Sequence, residues 1–293
     1  MFYSDPLKQA MLPIIRQIPK QYFLSWLSVK KERMNVCLDV YQSLCKLFTS
    51  SESDAMFDFG GVFVPKPQTE IDQIIAAVEF ADIFLTKFID DQVFCDTVHS
   101  EGPYETEKVK VRSGGVVIDC GANIGLFSAY ASGKGAVVYA FEPDPFIIEK
   151  YLSKTAEWNP NINICKFALA DKDEVLNFAQ NHHNMSAGKL TDNNCVSSAD
   201  GTSFIPVQAI TLDMFVQKNN LQRVDFIKAD IEGAERYMLM GAKNVLKEFA
   251  PDVSLCTYHL PDDPKVLREL ILDANPNYVI EERYKKIYAT TKR

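Results

Sequence analysis

Nothing in the 293 residues approaches the ~18–20 consecutive apolar residues that a membrane-spanning helix requires, so no such helix is expected. The apolar N-terminal residues are broken by Pro13, Arg16, Pro19 and Lys20 before a secretory core can form. Paired cysteines are missing too. The seven cysteines are an odd number and none stands in a C-x-x-C pair, which excludes a disulfide framework or a zinc–cysteine site and predicts reduced thiols in a cytoplasmic protein. Positive charge is in deficit, with 31 Lys and Arg against 39 Asp and Glu, and a net charge of −8 argues against a nucleic-acid partner. Internal repeats, low-complexity tracts and a G-x-G-x-x-G dinucleotide turn are also absent. What remains is 47% hydrophobic and 24% charged, enough apolar material for one large globular domain or two modest ones.

Charge and periodicity divide the chain into residues 1–108 and 109–293. Residues 1–50 hold seven Lys and Arg against three acids, whereas residues 51–107 hold two against thirteen. The basic segment suits a membrane surface or an acidic partner, or equally a solvated helical face beside an acidic neighbour. Met34, Cys37, Leu38, Tyr41, Leu44, Cys45 and Phe48 follow the spacing of one helix face, as do Ile71, Ile74, Ile75, Val78, Leu85 and Phe88. Between these helices, Gly60-Gly61 flanked by Met56–Phe59 and Val62–Val64 predicts a short hairpin.

From Val109 onward, β-branched runs alternate with helical stretches. Strands are predicted at 116–120, 136–141, 162–167, 224–227 and 252–258, with helices from Leu126, over 145–158 and over 234–249. That alternation predicts an α/β fold with a mostly parallel sheet covered on both faces. Residues 278–283 and 287–290 have no helix between them and predict an antiparallel pair at one edge. Residues 180–202 are polar and turn-rich and read as a long loop between short strands at 174–179 and 203–208.

The chemistry concentrates at strand ends. Asp119-Cys120-Gly121-Ala122-Asn123-Ile124-Gly125 closes the first of these strands with a Gly-x-x-x-Gly turn, too loose to cradle a pyrophosphate. Asp119 would bring a carboxylate suited to a cationic ligand, and the glycines would let the ligand approach the backbone. Glu142 directly follows the second strand and is placed to accept hydrogen bonds from both ribose hydroxyls. A ribose, a cationic tail and no phosphate together describe S-adenosylmethionine.

With Phe141-Glu142-Pro143-Asp144-Pro145, this turn resembles the class I S-adenosylmethionine-dependent methyltransferases. Thr211-Leu212-Asp213-x-Phe215, followed by Asp225-Phe226-Ile227-Lys228-Ala229-Asp230-Ile231-Glu232-Gly233-Ala234-Glu235, resembles the FkbM family within them. The resemblance covers about residues 109–293. It implies a seven-stranded Rossmann-like sheet with an antiparallel terminal strand, and methyl transfer to a hydroxyl of a sugar, glycan or small natural product. It also implies that Asp119, Gly121, Ala122, Asn123, Gly125 and Glu142 bind the donor, with Ala168 beside the adenine. Ala229 departs from the larger residue common in relatives. Glu101-Gly102-Pro103-Tyr104 resembles a segment of some members, which adds Tyr104 to the donor site.

Lys228, Asp230 and Glu232 end the fourth strand at the ligand-binding rim, where the two acids could orient the acceptor, receive its proton or hold a divalent cation. Helix capping by the same acids would account for them without function. His259 follows the fifth strand and is the expected general base. The helical first third, whose apolar faces need a partner, is expected to help cover the acceptor cleft. Two other activities use similar sheets: a nucleotide-dependent oxidoreductase, disfavoured by the Gly-x-x-x-Gly turn, and a non-catalytic donor- or glycan-binding module, disfavoured by intact Asp119, Glu142 and Asp230.

Overall fold

The computed structural model describes residues 56–58, 63–65, 79, 83, 102–181, 188–191 and 202–291. The chain forms two compact units, Met1–Pro103 and Tyr104–Arg293. In the first, β1 (Met56–Asp58) and β2 (Phe63–Pro65) pair antiparallel around the Gly60-Gly61 position, the predicted hairpin. The expected helix faces over 34–48 and, apart from Glu79 and Ile83, over 71–88 lie outside the described residues, as do His99, His182 and His183.

The second unit is built on a seven-stranded sheet. Strands β3 (Val116–Cys120), β4 (Val137–Phe141) and β5 (Ile162–Cys165) run parallel outward in chain order. Strands β10 (Phe226–Ala229) and β11 (Asp252–Cys256) continue the parallel sheet on the other side of β3. The hairpin β12 (Val279–Arg283) and β13 (Lys286–Thr290) completes it, with β13 antiparallel to β11 and β12 at the edge. β3, β10, β11 and β13 are almost wholly buried, as expected for apolar runs covered on both faces. Because the chain proceeds first one way from β3 and then the other, a crevice opens beyond the C-terminal ends of β3 and β10.

Helices α1 (Leu126–Gly133), α2 (residues 145–158, π-wound over Ile148–Leu152), α3 (Leu212–Lys218), α4 (Glu235–Met240), α5 (Lys243–Glu248) and α6 (Asp263–Ala274) connect the strands. The single helix expected over 234–249 is two, because the chain breaks at Gly241, where a Cβ would lie 2.1 Å from the Ala170 carbonyl oxygen. A second sheet contains the two short strands expected at 174–179 and 203–208, together with two that no pattern signals. Strands β6 (Ala168–Leu169), β7 (Glu174–Asn181), β8 (Lys189–Thr191) and β9 (Thr202–Ile210) form it in the order β6-β9-β7-β8. The polar stretch 180–202 therefore contains a strand, β8, paired antiparallel with β7. Three residues of that length leave too little alternation to register as a strand in a polar sequence.

Among the described residues, no helix is long and apolar enough to cross a membrane.

Candidate active site

The parallel register sets Lys228 directly beside Asp119. Both side chains are buried, at 2% and 0% exposed, and Lys228 Nζ lies 3.1 Å from Asp119 Oδ1. The other carboxylate oxygen of Asp119 accepts a 2.6 Å hydrogen bond from Ser128 on α1. Lys228 also donates to the Gly121 carbonyl at 2.8 Å and sits over the Tyr104 ring, 5.3 Å from its centroid. Asp119 thus neutralises a buried lysine, since a buried ion pair left half-unpaired is costly. Lys228, expected among the catalytic groups, holds the glycine turn from beneath.

The turn itself is shaped by chain packing. Gly121 has φ +76°, and a Cβ there would lie 2.1 Å from the Asp230 carbonyl oxygen. Gly125, at φ +88°, presses on Leu152 and Thr155 of α2, and Thr155 Oγ1 donates to the Ile124 carbonyl at 2.6 Å. The ends of β10 and α2 therefore require glycine at these two positions. Gly121 and Ala122 donate their N–H groups to the Phe141 carbonyl, and Asn123 adopts φ +50°.

Glu142 is buried beside that turn. One of its oxygens accepts from the Asn123 N–H at 3.0 Å and the other from the Asp144 N–H at 2.9 Å. Burial pushes the carboxyl up to about 7, against those two hydrogen bonds; Asp144 adds to the rise and Lys228 opposes it. Each ionised oxygen keeps a further lone-pair site, as a ribose diol would need. Ala168, expected beside the adenine, is buried with Phe178, Val207 and Ala209 in the core of the second sheet.

The strand ends of β10 and β11 bring the remaining candidates together. Tyr104, expected at the donor site, donates to Asp230 Oδ2 at 2.8 Å and so steadies a carboxylate. The segment after it is pinned by Glu105, which accepts from the Val111 N–H, Tyr130 and Lys134. Tyr258 donates to Asp230 Oδ1 at 3.2 Å. Burial alone would raise the Asp230 carboxyl, but Lys228, Lys286, His259 and the Tyr104 hydroxyl hold it below the usual carboxylate range.

His259 has 6% of its side chain exposed, with Nε2 3.5 Å from Asp230 Oδ1 and 3.6 Å from Glu232 Oε2. Its Nδ1 lies 3.1 Å from Oε1 of the fully buried Glu235. Burial alone would lower this imidazole, yet Glu235 first, then Asp230 and Glu232, raise it to about 9. These carboxylates thus favour the protonated ring, whereas the general base expected from sequence would need the neutral one.

Glu235 and Lys286 were missed. Glu235 accepts from the Ile231 and Gly233 N–H groups, a capping pattern that its place at the start of a helix could have signalled. Lys286 reaches the Tyr104 ring, 4.4 Å from its centroid, from β13, which no local pattern connects to this rim.

Residues 119–281, more than half of the chain, match the methyltransferase FkbM domain family. The hexuronic acid methyltransferase AglP of Haloferax volcanii is 26% identical over 167 residues, spanning 54% of this chain and 62% of that protein. Methyltransferase 1 of Beauveria bassiana is 26% identical over 172 residues, spanning 53% and 66%. The chain thus spans less than two thirds of either relative. A crystal structure of an FkbM methyltransferase from Methylobacillus flagellatus is similar at 15% identity and a TM-score of 0.48, covering 92% of this chain and 62% of that one. The chain belongs to the FkbM family of class I S-adenosylmethionine-dependent methyltransferases.

Proposed function

We propose that the protein is an O-methyltransferase acting on a hydroxyl of a sugar, glycan or small natural product. The observation that carries this reading is the adjacency of two different strand-end groups. Glu142 and the Gly121–Gly125 turn stand at the ends of β4 and β3, and Asp230, Glu232 and His259 stand beyond β10 and β11. S-adenosylmethionine, when bound, supplies a methyl group on a sulfonium that leaves with the electron pair of the broken carbon–sulfur bond. The chain's task is then alignment and removal of one proton. Glu142 accepts the ribose hydroxyls, and Asp119 and Lys228 keep the turn in shape as positioning residues. As the new carbon–oxygen bond forms, the acceptor hydroxyl becomes far more acidic than a carboxylic acid, so an ionised carboxylate at the rim can receive its proton. The name of the haloarchaeal relative supports a carbohydrate acceptor.

Incubating the protein with labelled S-adenosylmethionine and a panel of hexuronic acids and other sugars tests this reading. Labelled methyl ether at a hydroxyl, with matching S-adenosylhomocysteine, is the expected product. Methyl found only on nitrogen, carbon or a carboxylate would overturn it. His259→Ala, which removes the imidazole that faces both Asp230 and Glu232 at the rim, should lower turnover by at least about tenfold and leave donor affinity nearly unchanged, which steady-state kinetics beside calorimetry will resolve.

Donor binding should also depend on pH. The diol needs the ionised form of Glu142, which is lost as pH falls through about 7. Affinity should therefore rise between pH 6 and pH 8, and Glu142→Ala should lower it by ~1.5–3 kcal/mol and flatten the profile. Asp144 and Lys228 are the charged neighbours that act on this carboxyl, so calorimetry of Glu142→Gln separates its titration from theirs. A wild-type slope retained in that variant would remove Glu142 from the site.

A further inference from the structure

We infer that Asp230, Glu232 and His259 form a binding site for one divalent cation of the magnesium or manganese class. One carboxylate oxygen from each acid and one ring nitrogen all lie within 4.8 Å of one another. Acidic side chains at a rim are common without a metal, and the pair alone would carry no such inference. The histidine supplies the independent observation. Its side chain is buried, Nε2 makes no hydrogen bond, and that nitrogen faces the space between Asp230 Oδ1 and Glu232 Oε2.

The surroundings are those of a ligating histidine. The opposite ring nitrogen faces the Glu235 carboxylate at 3.1 Å, the carboxylate–histidine arrangement that orients metal-bound imidazoles. Glu235 is itself fixed by the Ile231 and Gly233 N–H groups. Asp230 is oriented in the same way, by the Tyr104 and Tyr258 hydroxyls. Asp230 and His259 are thus held from behind, and Glu232 stands between them in sequence on a left-handed backbone, φ +55°.

Charge points in the same direction. Asp119 and Lys228 cancel one another in their ion pair. Among the described groups at this rim, Asp230, Glu232 and Glu235 are negative and Lys286 also acts on Asp230, an excess of two negative charges that the proton on His259 halves while no cation is bound and that a dication, taking the place of that proton at Nε2, would offset in full. A dication matches that excess. Two oxygens and one nitrogen select a hard or borderline ion, and three protein donors leave positions for water or an acceptor oxygen. Donors at right angles around an ion with bonds of ~2.1–2.3 Å stand about 3.0–3.3 Å apart and donors on opposite sides about 4.2–4.6 Å; the two nitrogen–oxygen distances are 3.5 and 3.6 Å, and all three ligand atoms lie within 4.8 Å of one another. Building on the acceptor reading above, the cation would orient the acceptor hydroxyl and polarise its O–H bond, making the proton easier to lose to a carboxylate at the rim.

The test uses Mn²⁺ alone as the probe, on the full-length protein. Electron paramagnetic resonance titration should show one saturable Mn²⁺ site per chain, and pulsed spectra should show coupling to a histidine nitrogen. His259→Ala should abolish that coupling and weaken binding at least about tenfold, and Glu232→Gln, at a part-exposed turn position, should weaken it similarly. No saturable site, or a site whose affinity neither substitution changes, would overturn the inference. Calorimetry with S-adenosylhomocysteine on the same samples keeps the two readings apart. Donor-product binding without Mn²⁺ binding removes the cation alone, whereas Mn²⁺ binding without donor-product binding removes the donor site and leaves the cation.

Discussion

Gly121→Ala should be among the most damaging single substitutions in the chain, costing ~3–5 kcal/mol of stability and most of the donor affinity. Two penalties combine. A non-glycine residue at φ +76° loses about 1–2 kcal/mol to the left-handed conformation. The added methyl also meets the Asp230 carbonyl oxygen at 2.1 Å, and that oxygen belongs to backbone leaving the central strand β10, so the ends of β3 and β10 must separate. Gly114→Ala is the matching control, because Gly114 has nearly the same φ, +72°, and nothing within 4 Å of the added carbon. It should cost only the conformational part, about 1 kcal/mol. Denaturation of the full-length chain, followed on the transition that S-adenosylhomocysteine shifts, compares the two. Equal losses in both variants would show that the close approach to Asp230 does not constrain the turn.

The second large effect is expected at Lys228. Replacing it with methionine leaves Asp119 as an uncompensated charge at 0% exposure, with Ser128 as its remaining hydrogen-bond donor, and removes the ammonium that holds the Gly121 carbonyl. Breaking a buried pair from one side costs ~3–5 kcal/mol. Adding Asp119→Asn to the same chain should recover a good part of that loss, because the stranded charge is then gone. The comparison separates two roles. A Lys228→Met protein with ordinary stability and donor affinity but little turnover would make Lys228 a group that acts on the acceptor. The structure instead has its ammonium engaged by Asp119, the Gly121 carbonyl and the Tyr104 ring, so stability should fall first.

These expectations show how local signals and packing share the work. The β-branched runs at 116–120 and 252–256, the helix after Gly125 and the hairpin at the C-terminal edge were legible in the sequence because each has its own period and its own turn residues. Alternation of strands and helices then dictated that the parallel sheet's C-terminal rim would carry Gly121, Glu142, Asp230 and His259. Of the second sheet, the strands at 174–181 and 202–210 were legible and those of two and three residues were not, since these gain their stability from neighbours distant in the chain.

By itself, then, the sequence determined which residues stand at the rim: a strand's end and the turn after it are local properties. Only the tertiary structure decided what each residue does there. Asp119 became the partner of a lysine because the register of β3 against β10 brings two buried charges together, and such charges must pair. Gly121 proved necessary because β10 passes against it, and His259 became cationic because Glu235, Asp230 and Glu232 converge on it from the far side of a helix start. Charge state and close approach depend on atoms within a few ångströms that lie far away along the chain. No window of sequence contains them.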